Sequence, residues 1–580
     1  MLNKNLALIE PRQPETAKNI RNAGPLTAEE IAVMQEKEAN HTWAETANIS
    51  IIDSEIVIFM GMGTGEYFVD VANRKPPYTN FHVVEKDVRY VKYVLENNDL
   101  SKILGNTAFY IGIEPDKLAE YLPGWMWSMY CNKFSFIINY PHCMRTDESM
   151  NFYYDSWDII RRELSNYGGE VATLIFTSKI VQENILENFR YILDCPGIVN
   201  LKDRFKDVPA VVVAAGPSLD KNIHELKQAK GKAVIIACDT ALQALRAAGI
   251  EPDLVISIDY SDINLQKLKG QDGAGHYTVL LPAVKNKAFQ WFGKKTFITH
   301  LPGMFYKFLD KACGEKGTLC GGGSVAHSAF NLAEYMGCET IILIGLDLAY
   351  GETESHARNT MHYGSKKRDV LGFEADTWDG TGKVKLTQTF MAFLTFFEIL
   401  FKRTKCRVID CTEGGTAKRG SERKPLSEAL HWVTGDYCHD FQERLKTAYI
   451  APVIDREKCL AEFNTIITAL TEMADNARKS AGISNEVRQS KDPKEVKRLH
   501  GYLKAGQEIM HKYENVSELI EVLILRNTYD WHVGIDLMKM HCPKFNDIEY
   551  NTRYMVAYLH KYADTCLFYI KRFKKAMEAI

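Results

Sequence analysis

Three aspartates close three short apolar runs rich in branched residues. "AVIIACD" ends at Asp239, "DLVISID" at Asp259 and "TIILIGLD" at Asp347. Tyr260 follows the second acid, and Tyr350 lies shortly after the third. A fourth run, "VPAVVVAAGPS", stops at Gly216-Pro217-Ser218. Carboxylates at such places can orient the hydroxyl or amine groups of a ligand, and tyrosine hydroxyls can donate to a developing anion. The Gly-Pro-Ser turn suits an anion. Gly216 lets a ligand approach the backbone, Pro217 fits a first helical turn, and Ser218 adds a hydroxyl beside free backbone N–H groups. A glycine run, "LCGGGSVAHSAF", places Gly322 and Ser324 at the start of another helix, and "ESHARNTMHYG" supplies His356 and His362. Histidine is the natural group to take a proton from a hydroxyl near neutral pH. Each feature also has a plainer reading: a turn without a ligand, an acid that caps the next helix, or a solvated loop histidine.

What makes these residues one constellation is the pattern that carries them. Residues 201–425 alternate β-rich runs with helical segments, which predicts a mostly parallel sheet covered by helices. In such a sheet the strand ends emerge on one edge, where ligands of open α/β folds bind. Three acids, two tyrosines and two glycine turns therefore converge. "DYSD" (Asp259 to Asp262) invites a metal reading, but its acids are one residue further apart than the usual acid-x-acid, and no metal is expected.

Residues 1–200 form a second α/β region. "SEIVIFMGMGTGEYFVDVA" followed by "NFHVVEKD" is a strand, a glycine turn, a helix and a strand ending at Glu85. That is the pattern of a nucleoside-binding Rossmann unit, as in S-adenosylmethionine methyltransferases. No convincing further methyltransferase element follows, "INYPHC" being a poor one, so a structural role is expected for Gly61 to Gly65. Residues 426–580 lose the β runs. Leu460, Phe463, Ile467, Leu470 and Ala474 recur as on one helix face, as do Val516, Ile520 and Leu523, and "SAGISNEVRQSKDPKE" (Ser480 to Glu495) reads as a polar connector. The fold class is thus α/β, with two Rossmann-like domains and an all-α C-terminal domain.

Composition narrows the classes. A net charge of -3 gives no pull toward nucleic acid. The 13 cysteines are scattered and without a CxxC pair, which argues against a disulfide framework or zinc site and for a cytoplasmic protein. "MLNKNLALIEPRQPE" lacks the apolar core of a signal peptide. The longest apolar run, Phe390 to Phe401, is too short to span a bilayer and reads as a buried helix, so no membrane partner is expected.

The set "AAGPSLD … ACDTAL … GIEPDLVISIDYSD … CGGGS … GLDLAY" resembles the central domain of the motility accessory factors, bacterial proteins that glycosylate flagellin. That domain is similar to bacterial sialyltransferases and to archaeal-type pterin diphosphokinases. The resemblance implies transfer of a nonulosonic acid, of pseudaminic or legionaminic type, from a cytidine-monophosphate donor to flagellin Ser/Thr hydroxyls, with no cofactor beyond the donor and no metal. It also implies roles. Gly216, Pro217 and Ser218 would hold the nucleotide; Asp239 and Asp259 would stand where the sialyltransferases have asparagines, and Tyr260 would join them in binding the donor. Gly322 and Ser324 would approach the sugar and phosphate, and Tyr350 would stabilise the departing phosphate. The turn departs from the family in Ala214-Ala215, Tyr350 is shifted by one residue, and the family's base histidine is missing from "DTWDGTGKVKLTQTF". His356, with Asp347 or His362 in reserve, is the replacement. The residues from about 440 onward would grip flagellin. The rival readings are a pterin diphosphokinase-like enzyme, a non-enzymatic flagellin chaperone, and a methyltransferase acting through the N-terminal glycine turn.

Overall fold

The computed structural model describes residues 1–39, 56–74, 79–118, 121, 134–269, 275–292, 295–350, 354, 356–363, 373–431, 433, 438–490 and 548–580, with short stretches between 493 and 527. The chain falls into two compact units, the first taking in Met1–Ile175 and the second beginning at Phe176. The boundary expected near residue 200 thus lies earlier.

The first unit holds a parallel sheet of β1 (Ile56–Met60), β2 (Asn80–Glu85), β3 (Thr107–Ile111) and β4 (Phe134–Ile138), in the order β3-β2-β1-β4. Every residue of β1 is buried, as a strand covered on both faces requires. The glycine turn follows β1 directly and enters the Glu66–Arg74 helix, as the sequence pattern predicts.

The second unit is built on eight strands: β5 (Ala210–Val213), β6 (Val234–Cys238), β7 (Leu254–Ser257), β8 (Tyr277–Leu280), β9 (Thr296–Ile298), β10 (Thr340–Ile344), then β13 (Arg407–Asp410) and β14 (Glu422–Arg423), with a separate antiparallel hairpin of β11 (Phe373–Asp376) and β12 (Lys383–Leu386) between them in sequence. Their order is β14-β13-β10-β5-β6-β7-β8-β9, and all pairings are parallel. The branched residues alternate between two apolar layers. Val211, Val213, Ile235 and Ala237 face one, and Ala210, Val212, Val234 and Ile236 the other. The Gln388–Arg403 helix turns Leu394, Phe397 and Phe401 inward but leaves Ile399 exposed, so the run expected to be buried is amphipathic instead.

The helical C-terminal region departs from the expected separate domain. Phe463, on the Arg456–Ser490 helix, and Phe573, on the Ile548–Met577 helix, share a core with Val211 and Ile235. Their rings lie 5.4 Å apart, and Phe573 meets Phe308 at 6.2 Å. The β runs stop at 426, but the hydrophobic core does not. Nor is Ser480 to Ser490 a connector: the helix continues through it and buries Ser480, Ala481, Ile483 and Ser484. Polar composition hid an inward stripe of small residues. Val516 lies outside the described residues, and Ile520 and Leu523 are buried as their spacing predicts. Among the described residues no helix is long and apolar enough to cross a membrane.

Candidate active site

The chain leaves β5 toward β9 on one side of the sheet, then returns to β10 on the other side of β5. The loops after β5 and β10 therefore diverge, and the crevice of an open α/β sheet opens at this switch point. Both loops are held close. The Gly216 N–H donates to the Gly345 carbonyl at 2.7 Å, and Gly345 takes φ +64°. A Cβ on Gly345 would lie 2.4 Å from the Ala214 oxygen, so only glycine allows the approach.

Asp347 fills this crevice from within. It is 6 % exposed and accepts from the Ser218 hydroxyl at 2.7 Å and the Ser218 N–H at 3.3 Å. The donors expected to meet a phosphate thus already meet a carboxylate of the protein. Gly216, Gly414 and Gly415 make room for it, since a Cβ on Gly216 would sit 1.9 Å from the Asp347 Oδ2. Beside it, buried Lys418 donates to Asp410 at 3.0 Å and to the Thr416 carbonyl at 2.9 Å. The Asp410–Lys418 pair carried no signal in the sequence.

Burial pushes Asp347 up to about 6, against the opposing bonds from Ser218 and the pull of Lys418. An unfolded aspartate titrates near ~3.9, so the folded chain holds this proton more tightly. Stability is therefore expected to fall as pH rises from about 4 through about 6, and the loss is complete above that. Asp347→Asn keeps an oxygen for Ser218 and removes the charge. The variant should gain on the wild type between pH 4 and pH 7, by on the order of 3 kcal/mol at most. Urea unfolding at both pH values checks this, and a stability difference independent of pH would refute it.

Along the same edge, Asp239 ends β6 fully buried. It accepts from the Ser257 hydroxyl at 2.7 Å, while its other oxygen meets no donor among the described residues. Asn264, on the Asp262–Leu268 helix, donates to Ser257 Oγ at 2.7 Å and to the Asp259 carbonyl at 3.0 Å. Asp259 accepts from the Ser261 N–H at 2.9 Å and pairs with Lys267 at 3.4 Å. Burial raises the Asp239 carboxyl, opposed by Lys267 and Ser257. Asn184 donates to the carbonyls of Tyr260 and Ala283, fixing the loops after β7 and β8. Sequence reasoning found both acids but missed Ser257, Asn264 and Lys267, which sit in no motif. The acids of "DYSD" point to different partners, Asp259 to Lys267 and Asp262 to Lys285. Among the described residues no group of three or more His, Cys, Asp or Glu side chains gathers as a metal site would require.

The loop carrying the two histidines returns to the Gly-Pro-Ser turn. The Ala357 N–H donates to the Ala215 carbonyl at 3.0 Å, and the Arg358 N–H to Asp220. The His356 and His362 rings lie 5.0 Å apart. Burial pulls His356 down to about 4, with His362 and Lys267 adding to the shift, and His362 is lowered by burial and Lys267. Both are neutral at pH 7 and can accept a proton, though His356 is a weaker base than an exposed imidazole.

Ser324 spends its hydroxyl oxygen on the Ala326 N–H, capping the Val325–Tyr335 helix. Gly322 approaches His327 and Phe396, and a Cβ there would meet both within 2.6 Å. His327 itself is buried among Phe393, Phe396 and Phe397 and bonds the Phe393 carbonyl, which makes it a core histidine. The Tyr350 ring lies 5.4 Å from Phe390. Tyr350 and the glycine run thus share one aromatic wall.

The N-terminal glycine turn is occupied by the protein. Glu85, fully buried, accepts from the Met62 N–H at 2.8 Å, Tyr153 at 2.6 Å and His142 at 3.1 Å. Burial works to raise Glu85, but His142, Tyr153 and the backbone bond outweigh it and hold the carboxyl near 2. Glu38 bonds the Thr64 N–H and hydroxyl and the Asn139 amide, and a Cβ on Gly63 would overlap it at 1.8 Å. The acid that would read a ribose and the amides that would meet a ligand are engaged internally. "INYPHC" supplies Asn139 and His142 to this network.

A protein-family model, 6-hydroxymethylpterin diphosphokinase MptE-like, matches residues 183–353. An uncharacterized protein of Treponema pallidum (strain Nichols) is 35% identical over 91 residues, which is 16% of this chain and 42% of that relative. The chain thus matches less than half the length of that curated relative. The solved structure of MAf glycosyltransferase from Magnetospirillum magneticum AMB-1 aligns with 100% of this chain and 97% of its own, at a TM-score of 0.64 and 15% identity. The chain shares that protein's fold from end to end.

Proposed function

We propose that the protein is a glycosyltransferase that moves a nonulosonic acid, pseudaminic or legionaminic in type, from a cytidine-monophosphate donor to Ser/Thr hydroxyls of flagellin in the cytoplasm. The observation that carries the reading is the polar cluster at the switch point, Asp347, Asp239, Asp259, His356 and His362, set in a fold shared along its whole length with a glycosyltransferase. The bond between the sugar's anomeric carbon and the phosphate breaks through an oxocarbenium-like centre, and a bond to the acceptor oxygen forms. The acceptor proton passes to the His356–His362 pair, and the leaving nucleotide monophosphate keeps its electrons. Tyr350 donates to the departing phosphate. Asp239 offers its unpartnered oxygen to hydroxyl or amine donors of the bound ligand.

A second reading is pyrophosphate transfer to a pterin, favoured by the family model over residues 183–353. Calorimetric titration separates the readings. Cytidine monophosphate should bind without added metal, and S-adenosylmethionine should not bind, because Glu38 and Glu85 hold the N-terminal turn. Binding of ATP with magnesium, and none of the cytidine nucleotide, would replace the first reading with the second.

A further inference from the structure

We infer that Lys267 is the cation that holds the phosphate of the donor nucleotide. The inference rests on the donor reading above and adds a residue that neither the motifs nor the comparisons single out.

A phosphate needs positive charge or free N–H donors, and the expected ones are taken. The Ser218 N–H and hydroxyl already face the Asp347 carboxylate. The neighbouring cations are either committed or exposed to water. Lys418 is fully buried against Asp410 and the Thr416 carbonyl. Lys221 donates to the Glu413 carbonyl at 2.7 Å, and the Arg358 side chain, 75% exposed, lies toward Asp220.

Lys267 differs from all three. It is 8% exposed, and its ammonium donates to one described group, Asp259, at 3.4 Å. An ammonium removed from water is costly unless its donors are satisfied. One long ion pair satisfies one of three N–H groups. Its charge also bears on Asp239 after β6 and on both His356 and His362. Asp239 Oδ1 and Asn264 Oδ1 are buried and meet no donor among the described residues, and Asn264 shares Asp259 with Lys267. A cation with spare donors next to two acceptors with none is a complementary pair of subsites. The acceptors suit the hydroxyl or amine groups of a nucleoside, and the cation suits its phosphate.

The test is calorimetric titration of the full chain, wild type, Lys267→Gln and Lys267→Arg, with cytidine monophosphate, cytidine, inorganic phosphate, N-acetylneuraminic acid and ATP. Cytidine monophosphate should bind the wild type more tightly than cytidine does. Lys267→Gln should weaken it at least about tenfold and erase the preference over cytidine. Lys267→Arg should restore most of the affinity. Unchanged cytidine binding in Lys267→Gln shows that the fold survives. If instead only N-acetylneuraminic acid loses affinity, the cation reads the sugar carboxylate and the phosphate assignment is overturned. If cytidine monophosphate binds Lys267→Gln as well as it binds the wild type, the inference falls while the donor reading stands. If the wild type binds ATP or phosphate, and not cytidine monophosphate, in a Lys267-dependent way, the donor reading falls and the phosphate site stands. If no phosphate-bearing ligand responds to Lys267, the inference is wrong.

Discussion

Asp239→Ala and Asp259→Ala are each expected to reduce sugar transfer about a hundredfold, since a ligand donor left unsatisfied in a buried site costs about 1–3 kcal/mol. The fold should survive both. Asp239 is a buried carboxyl with one oxygen unbonded and its proton affinity raised by burial, so the chain gives up little by losing it. The remaining cost is the Ser257 hydroxyl, which loses its acceptor and contributes about 1 kcal/mol. Asp259 is partly exposed, and its described bonds go to Ser261 and Lys267; its loss strands the buried Lys267 ammonium at a cost of about 3 kcal/mol, which a fold stable by about 5–15 kcal/mol survives with a lowered unfolding midpoint. The check pairs thermal unfolding with mass-spectrometric detection of glycosylated acceptor. A folded double variant that still transfers at the wild-type rate would remove the carboxyl edge of β6 and β7 from the mechanism.

Gly216→Ala should have the opposite profile, with the damage falling on structure first. Its new methyl would sit 1.9 Å from the Asp347 carboxylate and 2.6 Å from the Gly345 carbonyl. The carbonyl belongs to the loop that joins β10 to Asp347 and cannot swing aside. Asp347 would have to leave Ser218, stranding two buried donors. A loss of about 3 kcal/mol follows from the overlap and the broken bonds together. Gly321→Ala is the matching control, because a Cβ there meets nothing among the described residues within 4 Å. The denaturation midpoints of the two variants should differ clearly. Equal midpoints would mean that the two loops are not locked as described.

The strand ends were readable because branched apolar runs bounded by Gly, Pro and Asp have few other uses in a soluble chain. The same local signal placed Asp239, Asp259, Asp347 and the Gly-Pro-Ser turn on one edge. It could not say what they touch. Ser218 and Asp347 are 129 residues apart, and their pairing depends on β10 inserting beside β5. Nothing local forecasts that. Lys267 and Asn264 lie in "DINLQKL", an ordinary helical segment whose inward face is set by the neighbouring strand. At the N-terminal turn the pattern was correct, but it did not show that the turn's donors meet carboxylates of the protein itself. Glu38 comes from an earlier helix, Ala28–Ala39, and no periodicity in that helix shows that its acid ends against Gly63. The connector at Ser480 failed for a related reason: small polar residues pack closely between helices, where composition alone reads them as solvent-facing.

The layer that joins Phe573 to Phe308 and Val211 has a consequence for how the chain is made. Ribosomes extend a chain at about 5–20 residues per second, and domains tend to fold in the order of their synthesis. Residues 1–175 of the first unit are made first. The second begins at Phe176, yet one side of its sheet waits for a helix near residue 573. At those rates the complete sheet, whose last strand ends at Arg423, stays open for roughly eight to thirty seconds. During that interval its branched strands are a target for wrong partners. A slow-growing host or a cold-expressed culture lengthens the exposure, and holding chaperones should be found on ribosomes that carry this message.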